Sequence, residues 1–461
     1  MRNLVSFACL VCAVTACAKT ARPLSIDITT GQEKDAFTAD PPVTRVDIVV
    51  TFLDGSPPLK ASAAPGATFD LGTVTDTEQM SVVVDGVDTH GNPVMHGLSL
   101  GGLPISGISG ASLPVFMART LSWARPPGGL VQSHVGGVVG SIGEQYVTLT
   151  GGAKATGDTS TILPTQVDAY DLFGLGGAVS HALPHPPETI VTVGSQQLLL
   201  YATGATWIDF TGSTAPAEAT LPTGLTSFGD VAGGSSVYDA TGGRTFVVGG
   251  TRTSAVSKAV LEVPDSTTLP LVAYTLLTAR KGAAATFVDG VGLVVAGGSA
   301  DGSGVEVLAV GAKVFAALGY PADPVEGAGA VTDGAHGLGL LGGTSAGMAA
   351  PTRLLDAACA KNCTITPALG VALPVAMNRM AVFRYVGQRS IVVGQETGGM
   401  GMTRTFLVDL SGAGSISELA LKEPRRGATP MPSPLGTLTL LGGEHADGTP
   451  ATSIESFLPP P

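Results

Sequence analysis

An apolar run that ends in a pair of glycines returns along most of this chain, and this recurrence leaves few folds open. The clear copies end at Gly151–Gly152, Gly249–Gly250, Gly297–Gly298, Gly342–Gly343 and Gly442–Gly443. Two weaker copies end at Thr203–Gly204 and Gly394–Gln395. A period of about fifty residues indicates an internally repeated architecture in which each copy is one supersecondary unit.

Composition agrees with a protein built from strands and turns. Glycine accounts for 64 of the 461 residues and proline for 32, and both residues interrupt helices. Hydrophobic residues make up 44% of the chain, which is enough to bury a large core. These values exclude a helical bundle and a disordered chain and favour an all-β fold.

Each copy contains the same order of β-like runs. One run, such as Ala283–Val288, precedes the Gly-ended run, and a third run, such as Val305–Leu308, follows a polar loop. A fourth and weaker run leads to the next copy. Four strands in about fifty residues are typical of one blade of a β-propeller of the kelch size class, so the seven copies predict seven blades.

A Gly pair after an apolar strand, with Tyr170 following it in the first copy, is similar to the kelch repeat. The resemblance covers residues 113–461 and implies a seven-bladed propeller related to the galactose oxidase and kelch-like superfamily. Most copies depart from the pattern because they lack its Trp; the chain has two, Trp123 and Trp207. The last copy also lacks a fourth run, and we expect residues 113–127 to supply it and close the ring.

Residues 24–110 lie outside the repeat. In the run Val43–Phe52 the apolar residues alternate with polar ones, as a half-buried strand requires. Turn sequences separate several further short strands. This pattern predicts a small immunoglobulin-like or fibronectin-like β-sandwich, with residues 106–112 as a hinge to the propeller.

The first residues have the layout of an export signal. Arg2 precedes an apolar stretch that is too short to span a membrane and that ends at Cys17. The small residues before Cys17 resemble the lipobox of bacterial lipoproteins. That resemblance implies a signal peptide over residues 1–16, lipidation of Cys17 and a linker over residues 17–23. The alternative is an ordinary signal peptide in which the cysteine is incidental.

The lipoprotein resemblance also implies a location. Ala18 follows the lipidated cysteine where an aspartate would mark retention at the inner membrane. We therefore expect an outer-membrane protein held by lipid at the periplasmic face or at the cell surface, without a spanning helix. In this oxidising setting Cys359 and Cys363 are predicted to form a disulfide. A zinc site or a redox motif is the alternative, although the spacing fits neither well.

One end of the predicted propeller carries mixed charge. The loops after the Gly pairs and the residues before each first strand would meet around one mouth of the central channel, which would suit a sugar, a peptide or a carboxylate. The alternative is that these residues are solvated or form ion pairs between blades. The candidate residues are Arg252, Arg280, Asp301, Arg379, Glu396, Arg425, Glu444, His445 and Asp447.

The sequence favours a binding or scaffold protein whose partner is a glycan or an envelope protein. Its net charge of −12 and the lack of a basic run argue against nucleic acid as a partner. No acid, base or metal-ligand set has a convincing spacing, so we expect neither a cofactor nor a metal, and we expect a monomer. The alternative is a propeller enzyme acting on carbohydrates, a mutarotase or isomerase or a glycosidase with a carboxylate pair such as Glu444 and Asp447.

Overall fold

The structure is a computed structural model that describes residues 21–75, 79–104, 112–159, 165–212, 214–250, 256–333, 335–368, 371–412, 414–433 and 435–461. Its regular structure is almost entirely β-strand, which confirms the all-β prediction. A short 3₁₀ helix spans Phe228–Asp230. The predicted signal peptide with Cys17, most of the predicted hinge, and Arg252 lie outside the described residues.

The N-terminal residues form one hydrogen-bonded sheet. Its central strands alternate buried and exposed side chains, as in Arg45–Phe52, because successive side chains of a strand point to opposite faces. The strands, in spatial order, are Leu59–Ala63, Arg45–Phe52, Gln79–Val87, Pro93–Leu98, Leu113–Arg119, Ala21–Thr29 and Phe69–Thr75, with Leu103–Pro104 beside Gln79–Val87.

This N-terminal sheet folds over onto itself. The two strands at its ends, Leu59–Ala63 and Phe69–Thr75, contact each other. One buried cluster, which includes Ile26, Ile48 and Met117, takes side chains from strands along the whole sheet. The sheet therefore encloses a core of its own.

The rest of the chain forms four-stranded antiparallel sheets, which we number in chain order. Sheet 1 contains Val138–Ile142, Tyr146–Thr150, Gln166–Asp171 and Gly176–Ala182. Sheet 2 contains Thr189–Val193, Gln196–Tyr201, Gly204–Asp209 and Ala217–Glu218. Sheet 3 contains Ser235–Asp239, Arg244–Val248, Ser257–Pro264 and Val272–Arg280. Sheet 4 contains Ala284–Val288, Gly292–Ala296, Val305–Ala309 and Ala316–Ala317.

Three more sheets follow in the described residues. Sheet 5 contains Gly329–Thr332, Gly337–Leu341, Arg353–Asp356 and Thr366–Pro367. Sheet 6 contains Met377–Val386, Arg389–Glu396, Thr403–Asp409 and Ser415–Glu418. Sheet 7 contains Thr429–Pro432, Leu438–Leu441, Glu455–Phe457 and Trp123–Ala124. Two small pairs complete the set, His134–Val135 with Ala153–Lys154 and Thr344–Ser345 with Met348–Ala349.

The first strands of these sheets surround a common centre. The first strands of sheets 1 to 6 contact one another in succession, and that of sheet 7 contacts that of sheet 1. Between sheets 6 and 7, Gln395 donates a hydrogen bond to the carbonyl oxygen of Ala428 at 3.0 Å. The succession of contacts is therefore circular.

Residues from two parts of the segment 113–127 go to different sheets. Trp123 and Ala124 pair with Phe457 and Ser456 as the fourth strand of sheet 7. By contrast, Leu113–Arg119 pairs with strands of the N-terminal sheet, because its alternate side chains fill that sheet's core. The strand expected over the whole segment is thus limited, in sheet 7, to Trp123–Ala124.

The Gly pairs stand where neighbouring backbones leave no room for a side chain. Gly250 and Gly298 both have positive φ angles, of 70° and 65°. A Cβ at Gly250 would collide with the carbonyl oxygen of Arg280, and one at Gly298 with that of Lys281. Glycine is required at both positions for its conformation and for its size.

Candidate functional site

Arg280, expected at the mouth, is fully buried between sheets 3 and 4. Its guanidinium donates to the carbonyl oxygen of Gly297 at 2.8 Å and to Glu306 at 2.9 Å. The same carboxylate accepts hydrogen bonds from the backbone amides of Leu277 and Thr278, at 2.6 and 2.9 Å. Burial lowers the pKa of Arg280, and Glu306 acts in the opposite direction. This arginine therefore joins the two sheets and is closed to a ligand.

Arg425 repeats this arrangement at sheet 7. It is fully buried, it donates to the carbonyl oxygen of Gly442 at 3.4 Å, and it pairs with Glu455 at 3.0 Å. The Glu455 carboxylate also accepts hydrogen bonds from the amides of Lys422 and Glu423, at 2.7 and 3.0 Å. We call each buried cation of this kind, with its carboxylate on the third strand, a clasp.

His134 takes the place of the clasp arginine at sheet 1. Its Nδ1 lies 2.7 Å from the carbonyl oxygen of Gly151, and its Nε2 lies 3.1 Å from Asp168 on the third strand. Asp168 also accepts a hydrogen bond from the amide of Gln132 at 3.0 Å. Both partners are almost completely buried. Both ring nitrogens thus lie next to oxygen atoms of the same two kinds that the clasp arginines contact, a Gly-pair carbonyl and a third-strand carboxylate.

The acidic residues of the last Gly loop have local partners. Glu444 accepts a hydrogen bond from Arg426 at 2.6 Å and another from the amide of Thr156 at 2.6 Å. Asp447 accepts hydrogen bonds from the amide and hydroxyl of Thr449, which is a turn within the loop. Both carboxylates of the expected pair are thus hydrogen-bonded to residues of the protein itself.

The remaining candidates lie apart from one another. His445 is partly exposed, with Nδ1 3.4 Å from the carbonyl oxygen of Pro424. Asp301 is exposed in the loop after the Gly pair of sheet 4, and Glu396 ends the second strand of sheet 6. Of the described candidates, Arg379 is the one that lines a cavity at the centre of the ring.

One position lies at the start of the first strand of each sheet. It stands 16 residues before the last residue of the Gly-ended run, or of the weaker run that replaces it. We call these positions the neck. Hydrogen bonds connect some of them directly: the Gly136 amide donates to the Gly427 carbonyl at 2.7 Å, and the Gly327 amide donates to the Gly282 carbonyl at 2.6 Å. The neck residues are Gly136, Glu188, Gly234, Gly282, Gly327, Arg379 and Gly427.

Arg379 has the positive φ of four of the neck glycines, although it has a side chain. Its φ is 49°, against 66° at Gly136 and 67° at Gly427. It lies in an irregularity of strand pairing, between Asn378 and Ala381. A residue other than glycine pays about 1–2 kcal/mol for this left-handed conformation. Strain of this kind, at an exposed cation on a ring of glycines, is typical of a functional position.

The first strands line three cavities. The cavity at the neck has a volume of about 270 Å³ and is lined by Gly136, Glu188, Arg379 and Gly427 among others. Cavities of about 340 and 710 Å³ lie along the same strands. Among the described residues that line the three, Glu188 and Arg379 are the charged ones. The central space therefore has its charge concentrated at the neck.

Neither neck charge is satisfied within the described part of the chain. The guanidinium of Arg379 and the carboxylate of Glu188 have no hydrogen-bond or ion-pair partner among the described residues. Sequence reasoning missed Glu188, because it lies before the weakest copy of the repeat. Alignment of the seven copies on their Gly pairs would have shown both charges at positions that glycine otherwise occupies.

The described residues contain no group of three or more His, Cys, Asp and Glu residues that could hold a metal ion. Of the chain's five cysteines, Cys359 and Cys363 lie in the described residues, and they form the predicted disulfide in the loop between the third and fourth strands of sheet 5. Within the described ranges, no helix is both long and apolar enough to cross a membrane. The sequence matches no family model, and no curated protein matches it.

Proposed function

We propose that this protein is a lipid-anchored, exported kelch-type propeller of seven blades that binds an anionic ligand at its neck. The ligand is a small molecule or the end of a glycan or protein chain at the cell envelope. The observation that carries the proposal is the guanidinium of Arg379, which lines the central cavity and has no hydrogen-bond or ion-pair partner among the described residues. Arginine binds carboxylates and phosphates through two parallel hydrogen bonds, so it is suited to such a ligand.

The arrangement of the sheets supports the propeller. The described residues form seven four-stranded antiparallel sheets. Contacts between first strands connect sheets 1 to 6 in succession and sheet 7 to sheet 1, and the hydrogen bond from Gln395 to Ala428 connects sheet 6 to sheet 7. Trp123 and Phe457, far apart in the chain, pair within sheet 7. Closure by an upstream strand leaves no open end in such a ring.

The lipid anchor is supported by the residues before Cys17. Its test is to compare the wild type with Cys17→Ser after metabolic labelling with a fatty acid. We expect the label and the membrane association to be lost in the variant. Incorporation of label into Cys17→Ser would overturn the lipidation, and it would leave the binding proposal to its own test.

Binding is better supported than carbohydrate turnover. A glycosidase needs two carboxyl groups free to act on the bond between sugars. Glu444 is held by Arg426 and Thr156, and Asp447 is held by Thr449.

The binding proposal is tested by replacing Arg379 with the residue that the other sheets favour. Arg379→Gly removes the cation and keeps a conformation that glycine adopts freely, so the fold is retained. The matched control is Arg389→Gly, which removes an exposed arginine paired with Asp409 at 2.9 Å.

The probes are N-acetyl-L-alanine, measured by calorimetry, and an array of acidic and neutral glycans. We expect the wild type and the control to bind an anionic probe and Arg379→Gly to lose about tenfold or more in affinity. Equal affinity in Arg379→Gly, or no anionic probe bound by the wild type, would refute the proposal.

A further inference from the structure

The two charges of the neck line the same cavity although their sheets are not neighbours. Arg379 belongs to sheet 6 and Glu188 to the start of sheet 2. The guanidinium of Arg379 extends past sheet 7, so that Nη1 lies 3.1 Å from the place where a Cβ on Gly136 would stand. Gly136 precedes sheet 1, the neighbour of sheet 2. Glycine at that position therefore leaves room for the cation to reach Gly136, which precedes the sheet next to that of Glu188.

The charges share one cavity without forming an ion pair. Both line the space of about 270 Å³, yet no nitrogen of Arg379 comes within 4.0 Å of a carboxylate oxygen of Glu188. Elsewhere in the described residues many arginines do pair with a carboxylate, as Arg280, Arg353 and Arg425 do. The neck keeps a cation and an anion apart within a confined space.

The wall of this cavity consists mainly of glycines and of small or apolar residues such as Val138, Ala381 and Pro430. Its uncharged polar side chains with amide or hydroxyl groups are Gln395 and Thr429, and both are hydrogen-bonded to backbone, Gln395 to Ala428 and Thr429 to Gly137. The charged groups that a ligand would meet in this space are one cation, Arg379, and one carboxylate, Glu188. The cavity volume of about 270 Å³ is slightly below the range of about 300–1,000 Å³ for sites that hold drug-sized ligands, so the ligand is small.

We infer that the neck binds a small zwitterion with a carboxylate and a primary ammonium group, as in a free amino acid. This inference rests on the proposed function and specifies its ligand. The carboxylate of the ligand faces Arg379, which offers two parallel N–H donors. The ammonium faces Glu188, whose ionised carboxylate accepts its hydrogen bonds. Each charge of the neck is then neutralised by the ligand.

The test uses three probes that differ in one charge each. L-Alanine carries both charges, N-acetyl-L-alanine carries the carboxylate alone, and L-alaninamide carries the ammonium alone. Binding to the wild type, Arg379→Gly and Glu188→Gln is measured by calorimetry or ligand-observed NMR. Glu188 is exposed, so its replacement leaves the fold intact, which is checked by the unfolding midpoint.

We expect L-alanine to bind the wild type about tenfold or more tightly than either single-charge probe. Glu188→Gln should weaken the binding of L-alanine by a similar factor and leave the binding of N-acetyl-L-alanine unchanged. Glu188→Asp should restore part of the lost affinity for L-alanine. If N-acetyl-L-alanine binds as tightly as L-alanine and is insensitive to Glu188→Gln, the zwitterion inference is wrong while anion binding at Arg379 stands. If no carboxylate probe depends on Arg379, both fail.

Discussion

At the scale of single residues, the chain uses its charges in two opposite ways. Arg280 and Arg425 are buried against carboxylates inside the sheets, whereas Arg379 is exposed toward the central cavity. All three precede or begin a first strand, but Arg379 lies two places nearer to the end of its Gly-ended run than Arg280 and Arg425 do. The third strands differ too: Glu306 and Glu455 stand on third strands, and sheet 6 has Thr403 at the start of its third strand.

The clasp arginines are expected to support stability strongly. Arg280→Met leaves the buried Glu306 without its cation, which costs about 3–5 kcal/mol of unfolding free energy. The control Arg389→Met removes an exposed pair worth about 0–1 kcal/mol. Urea unfolding of both variants measures the difference. Equal stability of the two variants would show that the buried pair is not important for folding.

The pKa of Glu444 leads us to expect that the protein loses stability in acid. Burial acts to raise its pKa, but hydrogen bonds from Thr156 and Arg426 outweigh burial and hold the pKa below its usual value of 4.5. The folded state therefore favours the ionised carboxylate. The resulting stabilisation is complete above about pH 4.5 and is lost as the pH falls further, through the folded-state pKa.

The measurement compares Glu444→Gln with the wild type by chemical unfolding across this acid range. The wild type should be more stable at neutral pH, and the gap should narrow below pH 4.5. Glu418→Gln, at an exposed pair with Arg404, should show a small gap throughout. A Glu444→Gln gap that stays constant into acid would contradict the assignment.

At the scale of elements, the local sequence pattern determines the strands, whereas contacts with neighbouring sheets position the loops. The Gly-ended runs are all second strands, buried on both faces, as shown by Gly292–Ala296. Continuous burial explains why they contain apolar residues in succession instead of alternation. The disulfide loop of sheet 5 is different, because it packs on sheet 4 through the amide of Cys363 and the carbonyl oxygen of Gly319, at 3.0 Å.

The disulfide is expected to make a modest contribution. It closes a loop with a sequence separation of 4, so the double variant Cys359→Ala/Cys363→Ala should lose about 2 kcal/mol or less in unfolding free energy. Ligand binding should not change, because a loop between third and fourth strands lies at the opposite end of a sheet from the neck. A loss of binding at full folding would place the loop in the site.

At the scale of the whole molecule, one short strand joins the N-terminal region to the last sheet. Trp123 is fully buried, its Nε1 donates to Thr405 in sheet 6 at 2.9 Å, and its ring packs edge-on against Phe457. Nearby, Arg125 pairs with Glu33 of the N-terminal region and with Glu423 before sheet 7. The N-terminal sheet and the ring are thus linked at the point of closure.

Replacing Trp123 tests how much this junction contributes to stability. Trp123→Ala removes a buried indole and should cost about 3–5 kcal/mol, measured by thermal and urea unfolding. Trp207→Ala is the matched control, because this indole is half-buried on the third strand of sheet 2 and should cost less. Similar losses for the two variants would argue against a special role of the closing strand.

The sequence by itself determined the all-β character and the cysteine pairing, and it predicted the repeated unit of strands. These follow from local patterns: an apolar run, a Gly pair and a short spacing between thiols each act within one unit. It also predicted that residues 113–127 complete the last sheet. It did not predict that Leu113–Arg119 belongs to the N-terminal sheet and Trp123–Ala124 to sheet 7, because both segments are apolar.

Only the tertiary structure decided which charges are buried and which face the centre. Arg280 and Arg379 differ by two places in their repeats, and that offset turns one side chain into the sheet and the other into the cavity. Glu188 became a candidate because the ring brings sheet 2 near the guanidinium of sheet 6. Residues of distant sheets come to line one cavity because the circle of sheets closes. The order of residues along the chain does not show which of them will do so.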